Sequence, residues 1–337
     1  LEAFFAYWDA NRESGQGIDS QGIGGITDSP LTFFDFGKLS VKRFQSMLFG
    51  KFQGSVREGV PLAPYTWLQL GGPAKYFAEP TDVEQLQQIV RLATHEGIPI
   101  RVLGGGSNIL VRDKGYDGLV LHLTAPCFEK ISIHGAMAEC GGAARLAHLI
   151  TACVGAGLGG LEHLVGIPGT VGGALRCNSS TDEGDIGSLM AHATLLTRKA
   201  EIVKVSAKDV NFSHRRSSLD ELLILDATFE LQPGDVRQLT KREQTFWIVK
   251  RSKQPNYPTR SVLAFVDLDG VSASELLQRS GVSGIIEGNS QLNSTYPNYL
   301  TANTGATADQ VIGVLERAKK IVMDKTGFSL QPHLVVW

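Results

Sequence analysis

The chain has 337 residues, with Lys+Arg 32 against Asp+Glu 34, a formal net charge of -2, 42% hydrophobic and 20% charged residues. That balance excludes a chain built to coat nucleic acid or an anionic membrane. No apolar run approaches the roughly 20 residues of a membrane span, and the length suits two or three folded domains.

Residues 1–59 are read as an N-terminal extension with no assigned role: 11–29 is rich in Gly, Ser and Asp and reads as loop, and 33–49 is aromatic and basic, a candidate helix. The chain opens on Leu1, and residues 1–10 carry acids without a basic segment, so no signal peptide is expected there. From Val60 the pattern sharpens. Val83, Leu86, Ile89, Val90 and Ala93 fall at helical spacing over 82–96, with Thr81 or Asp82 as cap and Gly97 as exit. Residues 98–103 read as a short buried strand, and 109–111 and 119–123 as further strands. A helix is expected over 144–154, with a glycine exit at 156–160, and strands over 193–196, 202–205 and 222–231. A polar helix over 238–253 is broken by Pro255 and Pro258, close to an expected domain boundary. Helices over 272–280 and 307–326 and a closing strand at 334–336 complete the series; Val311, Val314, Leu315, Ala318, Ile321 and Val322 share one face of the 307–326 helix.

Cys127, Cys140, Cys153 and Cys177 form no CxxC pair, so neither a zinc site nor a redox dithiol is expected. They read as reduced thiols of a cytoplasmic protein, three of them in the core.

Two glycine loops carry the chemistry. LGGGSNIL (103–110) follows a strand, and Gly104, Gly105 and Gly106 leave backbone N–H groups free to converge on an anion, with Ser107 and Asn108 adding side-chain donors. It is not the GxGxxG dinucleotide fingerprint, and a plain glycine turn fits it equally well. VGIPGTVGGA (165–174) offers Ile167, Pro168, Gly169, Thr170, Gly172 and Gly173. Two such loops suit a diphosphate gripped from two sides, or two unrelated turns.

Together with PYTWLQLGGPA (64–74), GLEHLVGIPGTVGGA (160–174), KQP (253–255), the 272–281 segment, NTGATA (303–308) and GFSLQP (327–332), the loops make residues 60–337 resemble the UDP-N-acetylenolpyruvoylglucosamine reductase family, also called UDP-N-acetylmuramate dehydrogenase. The resemblance implies an α+β fold. A FAD-binding domain of the vanillyl-alcohol-oxidase type, in two subdomains over 60–235, precedes a C-terminal α+β substrate domain over 236–337. It implies FAD, NADPH as hydride donor, a UDP-sugar substrate, and no nucleic-acid or membrane partner. The family's reaction reduces an enolpyruvyl ether to a lactyl ether: the flavin delivers hydride to the vinyl carbon and a protein acid protonates its neighbour.

Family positions carry over unevenly. FSHRRS (212–217) places Arg215 where the family's arginine polarises the substrate carboxylate, with His214 in place of Tyr. In RSVLAFVDLDG (260–270) the family's Ser or Cys proton donor falls on Leu263 or Ala264, depending on a one-residue gap. Ser261 is the nearest hydroxyl, and alternation makes it a poor spatial substitute. LQPH (330–333) puts Gln331 and His333 where two glutamates are expected; a histidine can act there as acid or hydrogen-bond donor. The family's Met-Asn-Ala-Gly-Ala-Tyr-Gly becomes CNSSTDEGDIG (177–187), in which Asn178 and Gly187 match. These departures leave two expectations: a working reductase protonating through water, Ser261 or His333, or a flavin-binding homologue without turnover. Another flavin oxidoreductase of the same fold, such as a sugar or alcohol oxidase, with the flavin tethered through His163 or Cys177, is a third. Lys241, Arg242, Lys250, Arg251, Lys253 and Arg260 form a basic stretch, either a solvated helix face or an attractor of diphosphate.

Overall fold

Buried Ala74, Tyr76, Phe77, Leu119, Val120 and Leu121 anchor the first sheet. Val56–Pro61 pairs antiparallel with Pro73–Ala78, which runs parallel to Tyr116–His122, and Ile100–Leu103 runs parallel along the far side of that strand. Parallel strands need a crossover. Helix Val83–His95 supplies it, burying Leu86, Ile89, Val90 and Ala93, with the Asp82 side chain accepting from the Gln85 N–H as N-cap. The structure, a computed structural model, describes residues 48–255, 260–268 and 270–337. The loop expected over 11–29, and all but the last two residues of the helix expected over 33–49, lie outside them. The features below belong to one unit, Lys51–Trp337.

Five antiparallel strands form the second sheet, in the order Ile202–Ser206, Met190–Leu196, Leu223–Glu230, Met137–Gly141, Ile131–His134. Helices Leu146–Gly155 and Val171–Arg176 contribute to the same core: Leu146, Leu149, Ile150, Cys153, Val171 and Leu175 join Ala138, Cys140, Ala193, Ala227 and Phe229 from the strands. Two of the four thiols, Cys140 and Cys153, are therefore core, Cys177 is half-buried and Cys127 is exposed.

The third layer is a four-stranded antiparallel sheet, in the order Ser261–Leu263, Tyr299–Ala302, Ser290–Leu292, Ile286–Glu287. Helix Ala308–Thr326 covers it, burying Val311, Val314, Leu315, Ala318 and Val322, with a Thr307/Gln310 capping box at its start and Gly327 at φ 75° ending it. The core of this layer includes Leu68 and Leu110 from the first part of the chain. Val335–Val336 then runs parallel to Ile109–Leu110, so the C-terminus returns to the strand that leaves the first glycine loop. Among the described residues no helix is long and apolar enough to cross a membrane.

Candidate functional site

The two glycine loops face each other. A Cβ on Gly105 would lie 2.8 Å from the Gly169 Cα, and one on Gly104 would lie 2.8 Å from the Thr170 Oγ1. The Ser107 hydroxyl donates to the Pro168 carbonyl at 3.3 Å. Gly106, at φ 65°, sits where any side chain would run into the Tyr65 carbonyl. The second loop is fixed from behind: Leu146 N–H donates to Gly169 O at 3.1 Å, Val171 N–H to Ala144 O at 2.9 Å and Gly172 N–H to Gly142 O at 2.8 Å.

A cavity of about 1390 Å³ opens between the loops, and Gly104, Gly105, Gly106, Ser107, Asn108, Ile167, Pro168, Gly169, Thr170, Gly172 and Gly173 all line it. That exceeds the roughly 300–1,000 Å³ of an ordinary small-molecule pocket and leaves room for a dinucleotide and a second ligand together. One buried atom in its wall lacks a partner: the Asn108 Oδ1, whose sister Nδ2 donates to the Cys177 Sγ at 3.7 Å. A buried acceptor without a protein donor is matched by a ligand donor. Backbone without side chains and an orphaned acceptor beside it fit FAD.

The same cavity is lined by Arg215, Lys250, Ser261, Leu263, Tyr299 and His333. Arg215 sits in the turn joining Phe212–Ser213 to Arg216–Ser217, at φ 57°. Asn178 ties that turn down by donating to Ser213 O at 3.0 Å and accepting from Gly187 N at 3.1 Å, which gives both matched residues of the altered 177–187 segment a structural task. Burial lowers the Arg215 pKa, against an opposing pull from Asp267. Burial, then Arg215 and Lys253, lower that of Lys250. His333 is pushed down to about 4, by burial first and then by Arg215 and Lys250. Burial and the two cations therefore favour the neutral imidazole, a hydrogen-bonding group, at pH 7. Neither Arg215 nor Lys250 has a carboxylate within ion-pair distance among the described residues. Two half-buried cations left this way call for an anionic ligand.

The two candidates for the donor position, at the end of strand Ser261–Leu263 and just after it, differ in their surroundings. Ala264 is buried in the C-terminal core, whereas Leu263 faces the cavity. Val262 is buried between its half-buried neighbours, so Ser261 and Leu263 share a face, contrary to the expected mismatch. The Ser261 hydroxyl is hydrogen-bonded to the Thr301 hydroxyl at 2.9 Å. Gln331 is exposed and pairs with Val266, away from the cavity. Of the basic stretch only Lys250 lines the cavity; Arg242 pairs with Glu162 at 3.1 Å, and Arg260 donates to Gln69 Oε1 at 2.8 Å. His163 hydrogen-bonds Thr181 at 2.8 Å and does not line the cavity, while Cys177 does. Tyr299 carried no signal in the sequence; pairing with Leu263 brings it to the site.

Comparison with known proteins accords with this geometry. The FAD binding domain family matches residues 74–206, and the family of the UDP-N-acetylenolpyruvoylglucosamine reductase C-terminal domain matches residues 251–337. The reductase of Rhodopirellula baltica is 40% identical over 282 residues, covering 84% of this chain and 92% of the relative. Reductase 2 of Symbiobacterium thermophilum is 31% identical over 287 residues, covering 84% and 92%. The crystal structure of the Thermus caldophilus reductase superposes with a TM-score of 0.72 at 27% identity, covering 84% of this chain and 99% of that one.

Proposed function

The chain belongs to the UDP-N-acetylenolpyruvoylglucosamine reductase family, and from that premise we propose how its own residues carry out the NADPH-driven reduction of UDP-N-acetylglucosamine enolpyruvate to UDP-N-acetylmuramate. FAD is the cofactor, and when bound it supplies the hydride chemistry.

The protein supplies placement and charge. The opposed loops 104–108 and 166–170 hold the pyrophosphate through backbone N–H groups that no side chain screens. Asn108 offers its free Oδ1 to a donor on the cofactor. Arg215 presents its planar fork to the substrate carboxylate, a bidentate match that draws electron density away from the vinyl bond. Lys250 adds a point charge for the same anionic end or the UDP diphosphate, and the neutral His333 beside both cations orients the carboxylate by hydrogen bonding without cancelling its charge. Leu263 adds an apolar side chain beside these groups, which lowers the local polarity and strengthens each of these interactions. Lys250, Ser261, Tyr299 and His333 all come from 236–337, which we assign as the substrate domain, with 60–235 as the cofactor domain. A nucleotide-sugar substrate and NADPH support a cytoplasmic location for the reaction, an early step of peptidoglycan precursor synthesis.

The observation that carries this reading is the pair of half-buried cations, without an ion-pair partner among the described residues, in the same cavity as the opposed glycine loops. Stopped-flow absorbance tests it: NADPH bleaches the bound flavin, and UDP-N-acetylglucosamine enolpyruvate restores the colour. A bleached protein that the substrate does not reoxidise refutes it.

A further inference from the structure

The reaction needs a proton on the carbon next to the one that receives hydride, and the residue at the family's donor position, Leu263, has none to give. The register of the C-terminal sheet shows what stands opposite. Ser261 pairs with Thr301, Val262 with Leu300 and Leu263 with Tyr299. Ala302 N–H donates to Arg260 O at 2.9 Å and Ala264 N–H to Asn298 O at 2.9 Å, so hydrogen-bonded pairs alternate at 260/302, 262/300 and 264/298. Leu263 and Tyr299 are thus a non-hydrogen-bonded pair, the kind whose side chains lie closest. Val262, Ala264, Leu300 and Ala302 all enter the C-terminal core, with Val262 also reaching the cavity wall, whereas Leu263 and Tyr299 stay out of that core and line the cavity that also holds Arg215, Lys250 and His333.

We propose that the Tyr299 phenol is the proton donor of this enzyme, taking over across the strand from the position Leu263 occupies. Its hydroxyl makes no hydrogen bond with any described residue, in contrast to the Ser261 hydroxyl, which Thr301 engages. The ring is held by backbone bonds on both sides, Tyr299 N–H to Tyr296 O at 2.8 Å and Asn293 N–H to Tyr299 O at 2.7 Å, and packs edge-on against Tyr296 with centroids 6.4 Å apart. Burial raises its pKa above the ordinary tyrosine value, so the proton is in place at neutral pH. The step balances. Hydride adds to the terminal vinyl carbon, the π pair of the vinyl bond takes the phenolic proton at the carbon bearing the carboxylate, and the phenolate recovers its proton from solvent after product leaves. Arg215 and Lys250 stabilise the negative charge that passes through this end of the cavity.

The proposal rests on the reductase reading, and Tyr299→Phe in the holoenzyme separates the two. The ring and its packing are kept. Bleaching by NADPH stays within about two-fold of wild type, while reoxidation by UDP-N-acetylglucosamine enolpyruvate slows by about 10²–10⁴-fold, the usual cost of a lost general acid. A second readout needs no turnover. In the oxidised protein an ultraviolet difference titration of tyrosinate shows one phenol whose ionisation moves to higher pH when the substrate carboxylate binds, and Y299F lacks that response. Reoxidation of Y299F within about three-fold of wild type, or a large loss in Ser261→Ala with Y299F unaffected, overturns the proposal. Wild type that NADPH bleaches and the substrate cannot reoxidise overturns the reductase reading, and the proton donor with it.

Discussion

Gly105→Ala tests the paired loops at their tightest point. The new Cβ would lie 2.8 Å from the Gly169 Cα, with the Gly169 carbonyl carbon and nitrogen at 3.5 and 3.6 Å. Carbon atoms prefer about 3.5–4.0 Å, so the loops must part by about 1 Å. Both sides of the contact are backbone, and no rotamer change relieves it. Overpacking of this kind costs about 1–3 kcal/mol. In the apoprotein the loops relieve it by separating. Binding FAD draws them back to native spacing, so the cost appears in binding, as an affinity loss of about 5- to 150-fold. Titration of apoprotein with FAD, followed by flavin fluorescence, measures it. Gly155→Ala is the control: it lies at the end of helix Leu146–Gly155 with no heavy atom within 4 Å of its Cβ, and FAD affinity stays at the wild-type value. G105A binding FAD within about two-fold of wild type refutes the claim that the loops grip the cofactor together.

Asn108→Ala removes an acceptor that no protein group uses; FAD affinity falls about ten-fold, the worth of one hydrogen bond of about 1–1.5 kcal/mol, as the same titration reads. Arg215→Lys keeps the charge and the φ 57° backbone but loses the fork, so kcat/KM for the enolpyruvyl substrate falls about 10- to 100-fold while NADPH bleaching is unaffected. Lys250→Met removes a half-buried cation without an ion-pair partner among the described residues; substrate KM rises about ten-fold while thermal stability holds or rises. His333 titrates in the unfolded chain near its ordinary value of 6.5 and in the folded protein near 4, so between those values the unfolded state binds the extra proton. Its contribution to stability is complete above pH 6.5 and is lost as pH falls towards 4, by up to about 3 kcal/mol. His333→Gln flattens that part of the stability-against-pH curve, and urea midpoints at pH 7 and pH 5 show whether it does.

Helical periodicity was the most legible feature of the chain. The helices expected over 82–96, 144–154, 238–253, 272–280 and 307–326 correspond to Val83–His95, Leu146–Gly155, Val236–Ser252, Ala273–Arg279 and Ala308–Thr326, because an apolar stripe or a flanking cap marks each one locally. All four strands of the third sheet escaped notice, and in the first two sheets so did Val56–Pro61, Pro73–Ala78, Ile131–His134 and Met137–Gly141. Val56–Pro61 is largely exposed and carries Arg57, Glu58 and Gly59, which hide any alternation, and Lys75 and Glu139 interrupt two of the others. The glycine loops were legible as a possible anion cradle, but their mutual approach was not, since it depends on Gly142 and Ala144 backing the second loop. The substrate end was least legible. Lys250 looks like its solvated neighbours until the helix is placed, and Tyr299 acquires meaning only through its pairing with Leu263. In the same way, His333 reads as an ordinary histidine until Arg215 and Lys250 stand beside it.

The visible spectrum of the purified protein, followed in one cuvette through two additions, tests the central claim most directly. The expected result is a flavin band that is released from the protein on denaturation, bleached by NADPH and restored by UDP-N-acetylglucosamine enolpyruvate. A colourless protein that takes up no FAD would contradict the account at its foundation.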